Sequence, residues 1–255
     1  MPITHPRRLL TAVTFLAAAA SAPTAAAQQI LEVDLSAGRT IIDDQWRSMG
    51  SIILAVDHDR GILYVNDAEE PEGIMAFSLA TGERIRVLPA REGDGPHEFS
   101  QGHSGMTMGP AGRLYVSGLL RVIEFDSTGV PVSSWTPRAP TSKLVCNFGG
   151  QPAVPAQNGV IRRGPGGADE GIGPNVVNSH VLMARDREES SAISDRIWSA
   201  RIACTDDAAY VATEYAESPD SVFVYHRSGE ETRLPVPTEF TLDHLLLEVR
   251  CKGAP

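Results

Sequence analysis

Three stretches of this chain repeat one another. Gly61-Ile-Leu-Tyr-Val-Asn-Asp67 is matched by Gly112-Arg-Leu-Tyr-Val-Ser117 about fifty residues later, and by Ala208-Ala-Tyr-Val-Ala-Thr213 at about twice that separation. Each copy is followed by a second signature: Ile74-Met-Ala-Phe-Ser-Leu-Ala-Thr-Gly82, Val122-Ile-Glu-Phe-Asp-Ser-Thr-Gly129 and Val222-Phe-Val-Tyr-His-Arg-Ser-Gly229. An aromatic residue stands four or five positions before the closing glycine in each. That spacing puts the ring at a strand end and the glycine in the hairpin turn, where positive φ is cheap only for glycine. A motif recurring at near-constant period means small units that cannot bury both faces alone and must stack.

Each repeat parses into strands A, B, C and D, the apolar runs being separated by Gly, Pro, Asp or Ser. The first unit runs from about Ser51 to Pro89, the second from Gly105 to Pro137, the third from Leu144 to about Ile193 and the fourth from Ser199 to Pro237. In the third, Asn158-Gly-Val-Ile-Arg162 takes the place of the strand B motif without its Tyr. The expected fold class is therefore all-β, a β-propeller-like array of four-stranded antiparallel blades with about four recognisable copies. A sandwich of similar meanders would not require one motif at a constant period.

The ends supply further strands. Ile30-Leu-Glu-Val-Asp-Leu35 and Thr40-Ile-Ile-Asp43 read as closing strands from the N-terminal side, and Leu245-Leu-Leu-Glu-Val249 reads as strand A of a further, partial blade. Either the N-terminal strands complete that last blade, or the chain is a truncated relative of a longer ring.

Residues 1–27 read as a signal peptide. Arg7 and Arg8 form a basic start, Leu9 to Ala20 an apolar run too short for a comfortable membrane span, and Ala25-Ala26-Ala27 a site for signal peptidase. Cleavage before Gln28 leaves 28–255 as a single domain with no stable membrane anchor, placed in the periplasm or outside the cell. The mature chain keeps 20 Lys and Arg against 32 Asp and Glu, and only two of those cations are Lys. Nucleic acid is thereby excluded as a partner, because a phosphate backbone needs clustered cations. An exported chain with three cysteines, Cys146, Cys204 and Cys251, permits one disulfide, and all three pairings are open.

Gly93-Asp-Gly95-Pro96-His97-Glu98-Phe99, followed by Gly112-Arg-Leu-Tyr-Val and Phe125-Asp-Ser-Thr-Gly129, resembles the bacterial exported six-bladed β-propellers related to NHL-repeat proteins. That family's loop commonly reads Gly-x-Gly-Pro-Gly-Glu-Phe before the innermost strand of the next blade, and His97 here replaces the last Gly. The resemblance is good over Ser51 to Trp135, moderate over Ser199 to Pro237 and poor between. It implies fold far more than function, since the architecture serves binding proteins and enzymes alike.

In such propellers the D-to-A and B-to-C loops surround the mouth of the central channel. Candidate ligand-binding residues on that face are Asn66, Asp67, Arg91, His97, Glu98 and His103, with a long insertion from Arg163 to His180 beside them. For His97 and Glu98 the competing role is to cap their own loop, and for Phe99 to wedge between blades. Asp57-His58-Asp59-Arg60-Gly61 sits between strands A and B and reads as a tight hairpin rather than a metal site. No catalytic residue is assigned, because no nucleophile elbow, zinc-binding helix or phosphate loop occurs. The function expected is a non-catalytic scaffold that needs no cofactor and binds a ligand or protein through its loops. The alternatives are a metal-dependent hydrolase or lyase of the lactonase-like kind, or a degenerate propeller fragment. The inner strands are poor in oxygen ligands, with Asn147 the obvious one.

Overall fold

A computed structural model describes residues 53–66, 73–99, 103–118, 121–137, 144–156, 159–173, 201–212 and 221–235, all within one compact unit, Thr40–Pro255. Residues 1–27, the segments read from sequence as end strands, Asp67 and Cys251 lie outside the described residues.

Among the described residues, sixteen strands form four antiparallel sheets, each in simple meander order. The first comprises β1 (Ile53–Asp57), β2 (Ile62–Asn66), β3 (Ile74–Ser78) and β4 (Arg84–Leu88). The second comprises β5 (His103–Met108), β6 (Leu114–Gly118), β7 (Val122–Phe125) and β8 (Pro131–Trp135). The third comprises β9 (Cys146–Phe148), β10 (Gln151–Ala156), β11 (Gly159–Arg163) and β12 (Asp169–Ile172), and the fourth β13 (Arg201–Cys204), β14 (Ala208–Ala212), β15 (Ser221–His226) and β16 (Glu231–Pro235). The first strand of each sheet lies innermost: β1 packs beside β5, β5 beside β9 and β9 beside β13.

Blades stack because each presents an apolar face to the next. Between blades one and two, Tyr64, Ile74, Ala76 and Leu88 meet Met106, Leu114, Val116, Ile123 and Phe125 in one buried cluster. Tyr115, Val122 and Trp135 meet Val145, Val154, Ala156 and Ile161 between blades two and three. Phe148, Ala153, Val160 and Ile172 meet Ala209, Val211 and Tyr225 between blades three and four. At about 25 cal/mol per Å² of apolar surface buried, each of these seams outweighs any single polar contact across it.

The third blade departs from the sequence expectation. Its second strand is β10, Gln151-Pro-Ala-Val-Pro-Ala156, and the Gly159–Arg163 segment expected to be strand B is the third strand, β11. Pro152 pairs with Asn147 and Pro155 with Val160 inside the sheet. Proline removes a ladder donor and argues against a central strand, which is why the run did not read as one. Consequently Arg163 to Ile172 is not a B-to-C insertion. It is the C-to-D hairpin, with a one-turn 3-10 helix at Pro165–Gly167, followed by strand D. The fourth strand of that blade ends at Ile172 rather than near Ile193.

Candidate functional site

Meander order places the A-to-B and C-to-D turns at one end of every blade and the B-to-C and D-to-A connections at the other. The A-to-B end is built from tight turns. In the first blade Asp57 Oδ1 accepts the Arg60 N–H at 3.1 Å, while the Arg60 guanidinium stands 3.7 Å from Oδ2.

The D-to-A end carries the Arg91–Phe99 loop, which is fastened from within and from the next blade. Phe99 N–H donates to the Arg91 carbonyl at 2.9 Å, Gly93 N–H to the Phe99 carbonyl at 3.0 Å and Glu98 N–H to the Gly95 carbonyl at 3.1 Å. The Glu98 carboxylate folds back so that its Oε2 accepts the Gly95 N–H at 2.8 Å. Both glycines of the motif are explained by that carboxylate. A Cβ on Gly95 would stand 2.8 Å from Oε2, and one on Gly93, whose φ is +156°, would meet the same oxygen still closer. Phe99 is 1 % exposed and belongs to the core between blades one and two.

Arg121, just before β7, completes the clamp. Its Nη1 donates to the Gly95 carbonyl and, at 2.7 Å, to the Glu98 carbonyl. Sequence reasoning missed this residue. An arginine at the start of a strand carries no mark of a backbone partner more than twenty positions earlier.

The candidate residues thus separate by role. Glu98 is spent on its own loop. Arg91 is exposed, as are Glu92 and Asp94, and His97 is half-buried with its Nδ1 unpartnered among the described residues. His103 opens β5 opposite Gly118. Asn66, expected on the loop face, closes β2 at 1 % exposure, because strand pairing with Ile53 carries it into the sheet. Asn147 lies mid-strand in β9, its Oδ1 buried without a hydrogen-bond partner among the described residues. Among the described residues no three His, Cys, Asp or Glu side chains converge as metal ligands, and no helix is long and apolar enough to cross a membrane.

A second polar cluster, also unforeseen, joins blades two and three. Glu124, 7 % exposed, accepts from Arg113 at 2.5 Å and from Arg163 of the next blade at 3.1 Å, with Ser133 Oγ 2.7 Å from the same carboxylate. Nearby, Tyr115 Oη donates to the Gly150 carbonyl at 3.1 Å and Trp135 Nε1 to Asp169 Oδ1 at 2.8 Å. Burial, followed by the Glu124 charge, pushes the Tyr115 phenol above its ordinary value despite the two arginines. Every member has a partner, so this cluster holds blades together rather than awaiting a ligand.

Of the three open cysteine pairings, the structure forms Cys146–Cys204, with Cα atoms 5.6 Å apart and an S–S distance of 2.00 Å.

No family profile matches the sequence, and no curated protein matches it. Solved structures do. U3-55K aligns with a TM-score of 0.50 at 13 % identity, covering 77 % of this chain and 54 % of that one. A virginiamycin B lyase from Staphylococcus aureus aligns with a TM-score of 0.46 at 16 % identity, covering 72 % of this chain and 55 % of the lyase. This chain therefore spans just over half the length of these two proteins. At such identity the likeness speaks to architecture alone. The chain is an all-β, β-propeller-like array of four-stranded antiparallel blades.

Proposed function

We propose that the protein is an exported, non-catalytic β-propeller scaffold, with residues 1–27 removed and 28–255 acting as one domain, that binds a small polar ligand or a protein through the face bearing the Arg91–Phe99 loop. The observation that carries this reading is the division of labour within that loop. Glu98, Arg121 and Phe99 fix its backbone to two blades, while the exposed Arg91 side chain and the half-buried His97 ring, whose Nδ1 is enclosed, make no hydrogen bond among the described contacts. Binding side chains on a loop held by a rigid scaffold lose little freedom on complex formation.

The test is a panel of thermal melts on the full chain and on an Arg91→Ala/His97→Ala variant, with inorganic phosphate, an acidic peptide, a basic peptide and a neutral oligosaccharide as probes. A probe that binds the native state raises Tm by mass action. The expected result is a shift with at least one probe that the variant loses while its probe-free Tm stays within about 2 °C of the parent, as surface changes do. A shift that survives both substitutions would place binding elsewhere and overturn the reading.

A further inference from the structure

The three seams between blades are not built alike. The first is crossed by Arg86, which donates to the Ser127 carbonyl at 3.0 Å, and by the Arg121 clamp. The second is crossed by the Tyr115–Gly150 and Trp135–Asp169 hydrogen bonds and by the Arg163–Glu124 ion pair. The polar cross-ties named above all lie at these two seams. Among the described residues the third seam is apolar, and it carries the Cys146–Cys204 disulfide instead, joining the innermost strands β9 and β13 across 58 residues of sequence.

Sequence alignment sharpens the contrast. Where Gly61 and Gly112 precede Tyr64 and Tyr115 by three positions, Gly150 precedes Ala153. All three residues face the following blade, Tyr64 in the first seam, Tyr115 in the second and Ala153 in the third. A small side chain in the place of a tyrosine leaves less apolar surface to bury and no phenol to tie across. The disulfide stands where that loss falls.

We propose that Cys146–Cys204 is a redox-sensitive lock on the seam between blades three and four. A dithiol reductant attacks the disulfide from the side of Cys204, the more exposed of the two residues, and the mixed disulfide is resolved by the second reductant thiol. Two electrons and two protons pass to the protein, Cys146 and Cys204 become thiols, and the reductant leaves as its own disulfide. The covalent tie is lost, and blades three and four then part more readily than the other two described pairs, because those seams keep the polar ties named above. The lock is independent of any ligand at the loop face.

The experiment is hydrogen exchange on the full chain carrying Cys251→Ser, which prevents thiol reshuffling, compared before and after treatment with dithiothreitol. Alkylation and mass analysis report the state of Cys146 and Cys204 in each sample. A Cys146→Ser/Cys204→Ser variant is run in parallel, and the reduced parent serves where that variant fails to fold. The expected result is blocked thiols in the untreated chain and, after reduction, exchange about tenfold or more faster in β9, β10, β13 and β14 with β1 to β8 unchanged. Free thiols in the untreated chain, unchanged exchange after reduction, or equal loss of protection in all four blades would each overturn the proposal.

Discussion

Arg121 reaches across the first seam and donates to the carbonyl of Glu98 at 2.7 Å, while the Glu98 side chain caps Gly95, whose carbonyl Arg121 also holds. One guanidinium and one carboxylate thus fix a loop from opposite sides without bonding to each other in the described contacts. Arg121→Ala should remove two charge-assisted bonds to carbonyls and lower stability by about 1–2 kcal/mol, measured by urea unfolding. Arg121→Lys should recover only part of that, since an ammonium lacks the planar fork. An alanine variant as stable as the parent would mean that the loop needs no clamp.

The two motif glycines should be intolerant for a reason that Gly61 does not share. Gly95→Ala would push the Glu98 carboxylate away from its N–H, and Gly93→Ala would do so at a left-handed φ as well. We expect about 1–3 kcal/mol lost in each. Gly61, with φ of +62° and open space around its missing Cβ, should cost about 1 kcal/mol on substitution by Ala, the backbone penalty alone. Equal losses at all three positions in chemical unfolding would contradict the account of the motif.

Glu124→Ala should be more damaging than either arginine change. The buried carboxylate serves Arg113, Arg163 and Ser133 together, and removing it leaves Arg163 without its counter-ion at the second seam, held there by its 2.8 Å bond to Ser133 Oγ. Because Arg113 is half-exposed and screened by solvent, the expected loss is about 2 kcal/mol rather than the full value of a buried pair. Arg113→Ala should cost well under half as much in the same unfolding assay.

Tyr225 gives a pH prediction. Burial, with a smaller push from Glu231 against the pull of Arg233, raises its phenol to about 12. An unfolded tyrosine titrates near 10, so between about 10 and 12 the folded state holds a proton that the unfolded state has released. Stability from this group is complete below about pH 10 and falls as pH rises through that window, by an amount on the order of 2 kcal/mol. Tyr225→Phe should flatten the alkaline limb of a Tm-against-pH curve. An unchanged limb would show that the phenol is not the group responsible.

How far the sequence spoke depended on which residues faced a seam. Tyr64 and Tyr115 occupy the same place in successive blades, each 1 % exposed and turned toward the next sheet, so the motif that recurs is the one that stacking demands. Blade three lost the signal because Pro152 and Pro155 hide β10 and Ala153 stands where the tyrosine would be. The register of that blade was then misread by one strand. The loop face was legible in part. Glu98 and Phe99 act as loop chemistry suggests, but Arg121 and Glu124 work through partners distant in sequence, and no local pattern announces such contacts. Asn66 misled because a polar residue at a strand end reads as loop, whereas pairing with Ile53 keeps it inside.

The measurement that tests the central claim most directly is the thermal melt of the purified chain in excess calcium and in chelator. A scaffold whose loop face binds through Arg91 and His97 predicts one cooperative transition, at the same temperature in both conditions. A transition that rises with calcium and falls with chelator would contradict it, and would point instead to an oxygen-ligand site in the channel of the kind a metal-dependent hydrolase or lyase requires.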